Sequence, residues 1–490
     1  MIDEIVKIHD KFSIEIKLGY ATKRSKTIND YTINTWFFIP NSLDINRLTY
    51  SKESFYVDLK TNIRLTTPVH ILREIAEGAD SPFHLLENAF TIFSIFPIRK
   101  NKKKYEYHIK MFNSILKSSL RNEIQHIIQN GIKEDRQFLI TSYINNTKSI
   151  LKKYRNLRRI INVPTVKSEF MTMYLLSDEF MSNVIEQHTF HLLISLEKDF
   201  PKYYVKNKED LMDLIQSEIN YKIEKKYSIV KKVSADNNGE IIYRRGVLKK
   251  YIESQLFLST RKKKDGFIVE QLLFSIAAGL SMIFATAIAF IFQQKYGNFT
   301  IPFFAALVIG YMLKDRIKEL VRYYLAGKLS KHLFDHKTSI DINNHKIGWC
   351  KESFDFVQED SIPSNVAKIR NRSQTMKIEN TFDLEKIILY RKHIRINRKQ
   401  LNLVYEQYDI SGINDIIRFN ISTFVKNMDN PKIPIYVLED GGYESLKADK
   451  LYYINFIMKF QSHDHSSYSK YRIVFNRSGI KKVISLESII

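Results

Sequence analysis

Near the N-terminus the apolar positions recur every second residue. Phe12, Ile14, Ile16 and Leu18 alternate with Ser13, Glu15 and Lys17, the signature of a half-buried strand. Tyr31 to Ile39 predicts a second strand ending at Pro40, and Phe55 to Leu65 holds at least one further element. From Val69 the period changes. Ile109, Phe112, Ile115, Leu116, Leu120, Ile124, Ile127 and Ile128 fall mostly three or four apart and give one apolar helix face before Gly131. Further helices are predicted over Arg136–Ile161, Ser177–Asp199 (stopped by Pro201) and Lys208–Lys226, the last capped by Asn207. The run Ser234 to Gly239 predicts a turn, and Val247 to Leu256 a further helix. Beyond residue 335 the pattern is mixed. Strands are predicted around Phe354 and Phe356, over Lys386–Ile396, Leu451–Phe460 and Tyr471–Ile484, with a helix over Ile413–Met428.

One stretch has no period. Residues 272–292 are 21 consecutive positions without a charge, about 31 Å as a helix, against a hydrocarbon core of about 30 Å. After a polar break, residues 299–313 form a second apolar run of about 22 Å. Together they predict a two-helix transmembrane hairpin; the competing reading is a helical hairpin buried in a soluble core. Arg261, Lys262, Lys263 and Lys264 precede the pair, Lys314, Arg316, Lys318 and Arg322 follow it, and the connecting loop holds only Lys295. The positive-inside rule then puts both termini in the cytoplasm of a bacterial inner membrane. Ala277, Ser281, Ala285 and Ala289, with Ala306 and Gly310, form small-residue ridges that let helices pack closely. Neither run holds an acid, a base or a histidine, which argues against a simple transporter, while an oligomeric pore lined by Ser275, Ser281 and Thr286 stays open.

The expected fold class is therefore an α+β membrane protein. It comprises an N-terminal β-rich domain (1–68), a helical bundle (69–227), a segment with linker, juxtamembrane helices and hairpin (228–335), and a C-terminal α+β domain (336–490). The two β-rich regions lie on one side and can share a single body.

The single cysteine, Cys350, excludes an intrachain disulfide and any paired-cysteine site. The opening MIDEIVKIHDKF carries no secretory leader pattern. The net charge is +23, and Arg99 to Arg159 alone holds 16 Lys and Arg against 4 acids. Such a surface favours anionic partners: the lipid bilayer with anionic headgroups first, nucleic acid as a weaker option, or no partner at all.

Candidate chemistry is sparse. His332 and His336 stand four apart, with Asp335 and His345 near, a spacing that on a helix can hold a metal. His463, Asp464, His465, Ser466 and Ser467 bring together the residue types of nucleophilic catalysis, but without the sharp turn such a nucleophile needs. Gly19 to Lys26 lacks the second glycine of a phosphate-binding loop, Gly441-Gly442 is a turn, and Cys350 suits a buried small residue. No cofactor is implied.

The blocks Phe37 to Pro68, Ile347 to Asp360 and Tyr471 to Ile480 resemble an uncharacterised family of bacterial two-span membrane proteins. The resemblance implies a bacterial membrane location and brings no activity. The reading that follows is a non-enzymatic, cytosol-facing interaction or sensing platform, alone, as a homo-oligomer or with a protein partner. A membrane-disrupting effector and a membrane-tethered enzyme are the alternatives.

Overall fold

The structure is a computed structural model describing residues 2–78, 80–129, 133–164, 166–232, 235–298, 300–330, 334–342, 345–370, 385–404, 407–462 and 465–489. The chain divides into two units. One comprises residues 1–64, 258–406 and 412–490; the other comprises 65–257 and 407–411.

The first unit is built on two sheets to which both ends of the chain contribute. An eight-stranded sheet holds β3 (Ile28–Pro40), β5 (Ser259–Lys264), β6 (His336–Ile342), β7 (His345–Val357), β8 (Glu385–Asn397), β12 (Tyr452–Ser462), β13 (His465–Asn476) and β14 (Gly479–Ile489). Its strand order is β14-β13-β12-β3-β8-β7-β6-β5. A four-stranded sheet, order β1-β2-β9-β4, holds β1 (Ile2–Asp10), β2 (Ser13–Ala21), β4 (Leu59–Leu65) and β9 (Gly412–Asn420). The N-terminal strand β3 lies antiparallel between β12 and β8, with Thr35 opposite both Met458 and Tyr390. The N-terminal β domain is therefore not separate; its strands complete sheets whose other members come from after residue 258.

Alternation explains the layering. Ile33, Phe37, Ile388, Ile394 and Phe456 point from the larger sheet to one face and are buried with Ile16, Leu18, Ile417 and Phe419 of the smaller sheet. Phe37 and Phe419 meet across the layers at 5.2 Å. The short helix α1 (Lys52–Asp58), capped by the Ser51 side chain, inserts Phe55 against Phe354 at 4.4 Å. On the opposite face of the larger sheet, Trp36, Phe38 and Ile457 are covered by Val366 and Ile369.

Several expected elements change identity. The helix predicted over Ile413–Met428 is β9 followed by the four-residue helix Ser422–Val425, because Ile413, Ile417 and Phe419 share a strand face on which Asp415 also lies buried. Gly412 opens β9 where the chains run close: a Cβ there would sit 1.9 Å from the Tyr20 carbonyl oxygen.

The second unit is helical: α2 (Pro82–Ile95), α3 (Arg99–Gln129), α4 (Lys133–Asn156), α5 (Arg158–Ile161), α6 (Ser168–Asp199), α7 (Pro201–Glu224) and α8 (Ala235–Ile252). Pro201 starts α7 at its first turn, where its missing N–H costs little. Asn207, expected as a cap, is inside α7, and its side chain exchanges hydrogen bonds of 2.8 and 3.0 Å with Gln137. The expected turn at Ser234 to Gly239 is replaced, from Ala235 on, by the first turns of α8.

Between β5 and β6 the chain makes an excursion through α9 (Phe267–Tyr296) and α10 (Ile301–Ser330). Here the expected fold class is corrected. Among the described residues one helix, α9, is long and apolar enough to cross a membrane, so the two-span transmembrane hairpin does not stand. The reason lies in α10: its apolar portion ends at Leu313, and Lys314, Asp315, Arg316, Lys318 and Glu319 follow. Thirteen helical residues reach about 20 Å, well short of a hydrocarbon core of about 30 Å.

Candidate functional site

The base of the α9–α10 excursion is where chemistry-bearing side chains gather. Gly266, with φ of +69°, turns the chain from β5 into α9, and Glu270 in the first turn of α9 takes Lys264 at 2.7 Å. The excursion closes on itself: the Asp265 N–H donates to the Asp335 carbonyl at 3.1 Å, and β5 pairs with β6 from Ser259–Asp341 to Lys264–His336. Lys351 on β7 adds an ion pair to Asp265 at 2.8 Å.

Asp335 is the hub. Its carboxylate accepts from Lys52 at 2.7 Å, the Tyr56 hydroxyl at 3.0 Å and the Phe354 N–H at 2.7 Å. The Tyr56 ring stacks edge-on against His336 at 4.4 Å and carries Lys262 above it at 4.5 Å. Lys262 also stands 3.7 Å from Glu352. From Glu352 the polar chain runs inward, where the Tyr390 hydroxyl donates to it at 2.6 Å and Lys392 lies 3.1 Å away. Lys392 in turn pairs closely with Asp415, which crosses from the larger sheet to the smaller one. Lys392, Glu352 and Asp415 are all buried.

A buried charge survives only with partners, and the titration shifts reflect that balance. Burial pushes the Glu352 carboxyl up, but Lys392, the Tyr390 hydroxyl and Lys262 more than offset it, leaving it below the usual range. For Asp415 burial wins over Lys392 and the carboxyl is raised. Lys392 is held well above the ordinary lysine range, its burial being outweighed by Asp415, Tyr390, Cys350 and Glu352. Burial pushes the Cys350 thiol far up, so it is no nucleophile. The void beside Lys392 and Tyr390 measures about 10 Å³, room for about one water and for no substrate. This centre joins the sheets and admits nothing else. The larger cleft of about 650 Å³, lined by Arg47, Phe356, Asp360, Glu385 and Lys386, has mixed charge and no convergent set of acid, base and nucleophile.

The expected site residues distribute as follows. His332 lies outside the described residues. His336 begins strand β6, so the helical i,i+4 geometry behind the metal expectation does not apply to it. Its Nδ1 has no hydrogen-bond partner, and burial lowers its pKa. His345 is exposed at the start of β7. Among the described residues no group of three or more His, Cys, Asp and Glu is placed to hold a metal ion. His463 and Asp464 lie outside the described residues; His465, Ser466 and Ser467 are exposed along β13 opposite Ser462, Gln461 and Phe460. Gly19 is a strand residue of β2. In the helix pair, Ala277, Ser281, Ala306 and Gly310 are buried and Ala285 and Ala289 half-buried, with Gly310 facing Ile288 and the Ala285 carbonyl. Ser275 and Thr286 bond back to their own helix at Gln271, Met282 and Ile283.

Sequence reasoning missed Lys392 and Asp415. Each stands in the apolar phase of its strand, Lys392 between Tyr390 and Ile394, Asp415 between Ile413 and Ile417. A charge in that phase is the available signal.

Comparison with protein-family models, curated proteins and solved structures finds no match to this chain, so the resemblance to two-span bacterial membrane proteins rests on its sequence blocks alone.

Proposed function

We propose that this protein is a bilayer-attached, non-enzymatic interaction or sensing platform in which α9 makes the attachment. The observation that carries the reading is the exposure of α9. A core helix of a soluble protein can be as apolar, but it is buried; only 11% of the most apolar stretch of α9 is. Ile283 is 66% exposed and Phe290 69%. Apolar surface on that scale marks a membrane or partner surface. The basic residues Arg261 to Lys264 precede α9, and Lys314 to Arg322 run through the middle of α10, with Arg322 over the Phe274 ring at 4.4 Å; this charge suits anionic headgroups on the cytoplasmic leaflet of a bacterial inner membrane. β5 and β6 pair at the base, so the excursion begins and ends beside one strand pair.

The sensing part rests on the polar chain from Asp335 through Tyr56, Lys262 and Glu352 to Lys392. It gives the base of α9 and α10 a continuous ionic path into the sheet core, so a displacement of the helices is felt where the sheets join. The test is flotation of the purified full chain with vesicles containing anionic lipid. Wild-type protein floats with the vesicles, and Leu280→Lys/Ile283→Lys stays in the aqueous fraction with an unchanged circular dichroism spectrum. Wild-type protein that remains in the aqueous fraction would sink the reading.

A further inference from the structure

The strands β10 (Lys432–Glu439) and β11 (Gly442–Asp449) stand apart from both large sheets as a two-stranded sheet of their own. The hairpin is tied at its base, where the Lys450 N–H donates to the Pro431 carbonyl at 2.9 Å and Lys481 pairs with Asp449 at 3.3 Å. Beyond that base it exposes apolar side chains on both faces: Leu438 is 88% exposed, Tyr443 75% and Tyr436 67% on one, Ile435 46% and Val437 44% on the other. A lone two-stranded hairpin is marginal in water, and stability usually needs three or more strands.

Its register says which edge is open. Glu439 pairs with Gly442 and Ile433 with Ala448, in phase with the Pro431–Lys450 hydrogen bond. Bonded pairs alternate, so the odd positions of β10 and the even positions of β11 spend their backbone groups on each other. The even positions of β10 and the odd positions of β11 face outward. On β10 that outer row contains Pro434, which has no N–H and breaks the edge. On β11 it is Tyr443, Ser445 and Lys447, all exposed, all with an N–H and a carbonyl to offer.

We propose that β11 pairs edge to edge with β11 of a second copy of this chain, two-fold and antiparallel about Ser445, to form a four-stranded sheet. One open edge and one blocked edge give a closed dimer and no filament. The pairing sets Tyr443 opposite Lys447 of the second copy, an aromatic–cation pair. Charge tells against a bilayer surface as the occupant: the hairpin carries Glu439, Asp440, Glu444 and Asp449 against Lys432 and Lys447, a net −2 on a chain of net +23, and anionic headgroups repel it. The second copy is selected by the self-complementary open edge, which sets Tyr443 against Lys447. The inference is independent of the bilayer reading.

The lone cysteine makes the test clean, because Cys350 is 2% exposed. Full-length Ser445→Cys protein, in mild detergent, is treated with a short bis-maleimide and its native mass is measured. A cross-linked dimer and a dimeric native mass are expected. Adding Lys447→Pro, which removes an outward N–H and no internal bond, abolishes both. So does Ser445→Arg, tested by native mass, which opposes two cations at the two-fold centre. A monomeric native mass, with the thiol at position 445 open to mono-maleimide, overturns the proposal. A dimer that survives both Lys447→Pro and Ser445→Arg overturns it too. A monomer whose thiol is shielded only by added vesicles assigns the hairpin to the bilayer instead.

Discussion

Helices α6 and α9 are about equally long and are packed inside out with respect to each other. The middle of α6 buries Asp178, Glu179, Ser182, Asn183, Glu186 and Thr189. Each charge is answered from another helix. Arg155 on α4 makes a two-pronged contact with Glu218 at 3.0 and 2.7 Å and lies 3.5 Å from Asp178, Arg244 grips Glu179 at 2.6 Å, and Lys222 pairs with Glu186. Tyr221 and Tyr227 both donate to Asp178, at 2.8 and 2.9 Å. By contrast α9 buries Ala277 and Ser281 and leaves Leu272, Met282, Ile283, Phe290 and Ile291 exposed. A helix in water buries its apolar side and satisfies whatever polar groups it takes inside; α6 obeys that rule at the cost of a wide ionic network. The exposed apolar side of α9 fits an apolar surrounding.

The comparison can be broken most forcefully at α9. A lysine near the bilayer centre costs about 2.5–3.5 kcal/mol, so Leu280→Lys/Ile283→Lys should lose about 5–7 kcal/mol of vesicle partition, a shift readable by flotation. The same pair of lysines on an exposed face in water would change unfolding in detergent-free buffer little. Next comes the network around α6. Arg155→Met strips the guanidinium from Glu218 and Asp178, whose burial then goes uncompensated, and denaturant unfolding of the full chain should show a loss of about 3–5 kcal/mol. An unchanged midpoint would mean water already carries that charge.

The smallest effect concerns protons. His108 on α3 is 3% exposed, its Nδ1 lies 3.0 Å from the Tyr408 hydroxyl, and burial, with Lys104 adding, lowers its pKa to about 4. In the unfolded chain it titrates near 6.5. The unfolded state therefore takes up the proton first on acidification. The stability due to neutral His108 is complete above pH 6.5 and falls by about 3 kcal/mol as pH drops to about 4. His108→Gln should flatten that part of the stability profile. Residues 272–292 hold no titratable group, so vesicle flotation through α9 should not follow the same curve.

How much of this was legible beforehand depended on where the partner of each residue lay. The strands β3 and β8 follow from alternation in Tyr31–Ile39 and Lys386–Ile396, since one buried face suffices to set the period. The uncharged run in α9 follows from composition alone. The strand β9 was hidden because Asp415 interrupts its apolar phase, and its answering charge, Lys392, arrives only when two sheets stack. The same holds for the partners of Glu179 and Glu186, since Arg244 and Lys222 reach them only when other helices fold against α6. The second membrane span failed on length: Pro302 and the small residues Ala306 and Gly310 suit a helix interface, but the charges from Lys314 on end the apolar surface too early. The spacing argument for a metal does not apply to His336, which belongs to a strand, while His332 lies outside the described residues.

The most direct measurement is the accessibility of one position on α9. Cys350 is buried, so Ile283→Cys gives the chain a single reactive thiol, at a site 66% exposed in the isolated molecule. Native membranes carrying this variant are treated with a membrane-impermeant maleimide, before and after solubilisation in detergent. Protection in membranes, followed by full labelling in detergent, is the result expected if α9 lies in lipid. Rapid labelling in intact membranes, or recovery of the protein in the aqueous fraction with the thiol fully reactive, would contradict it.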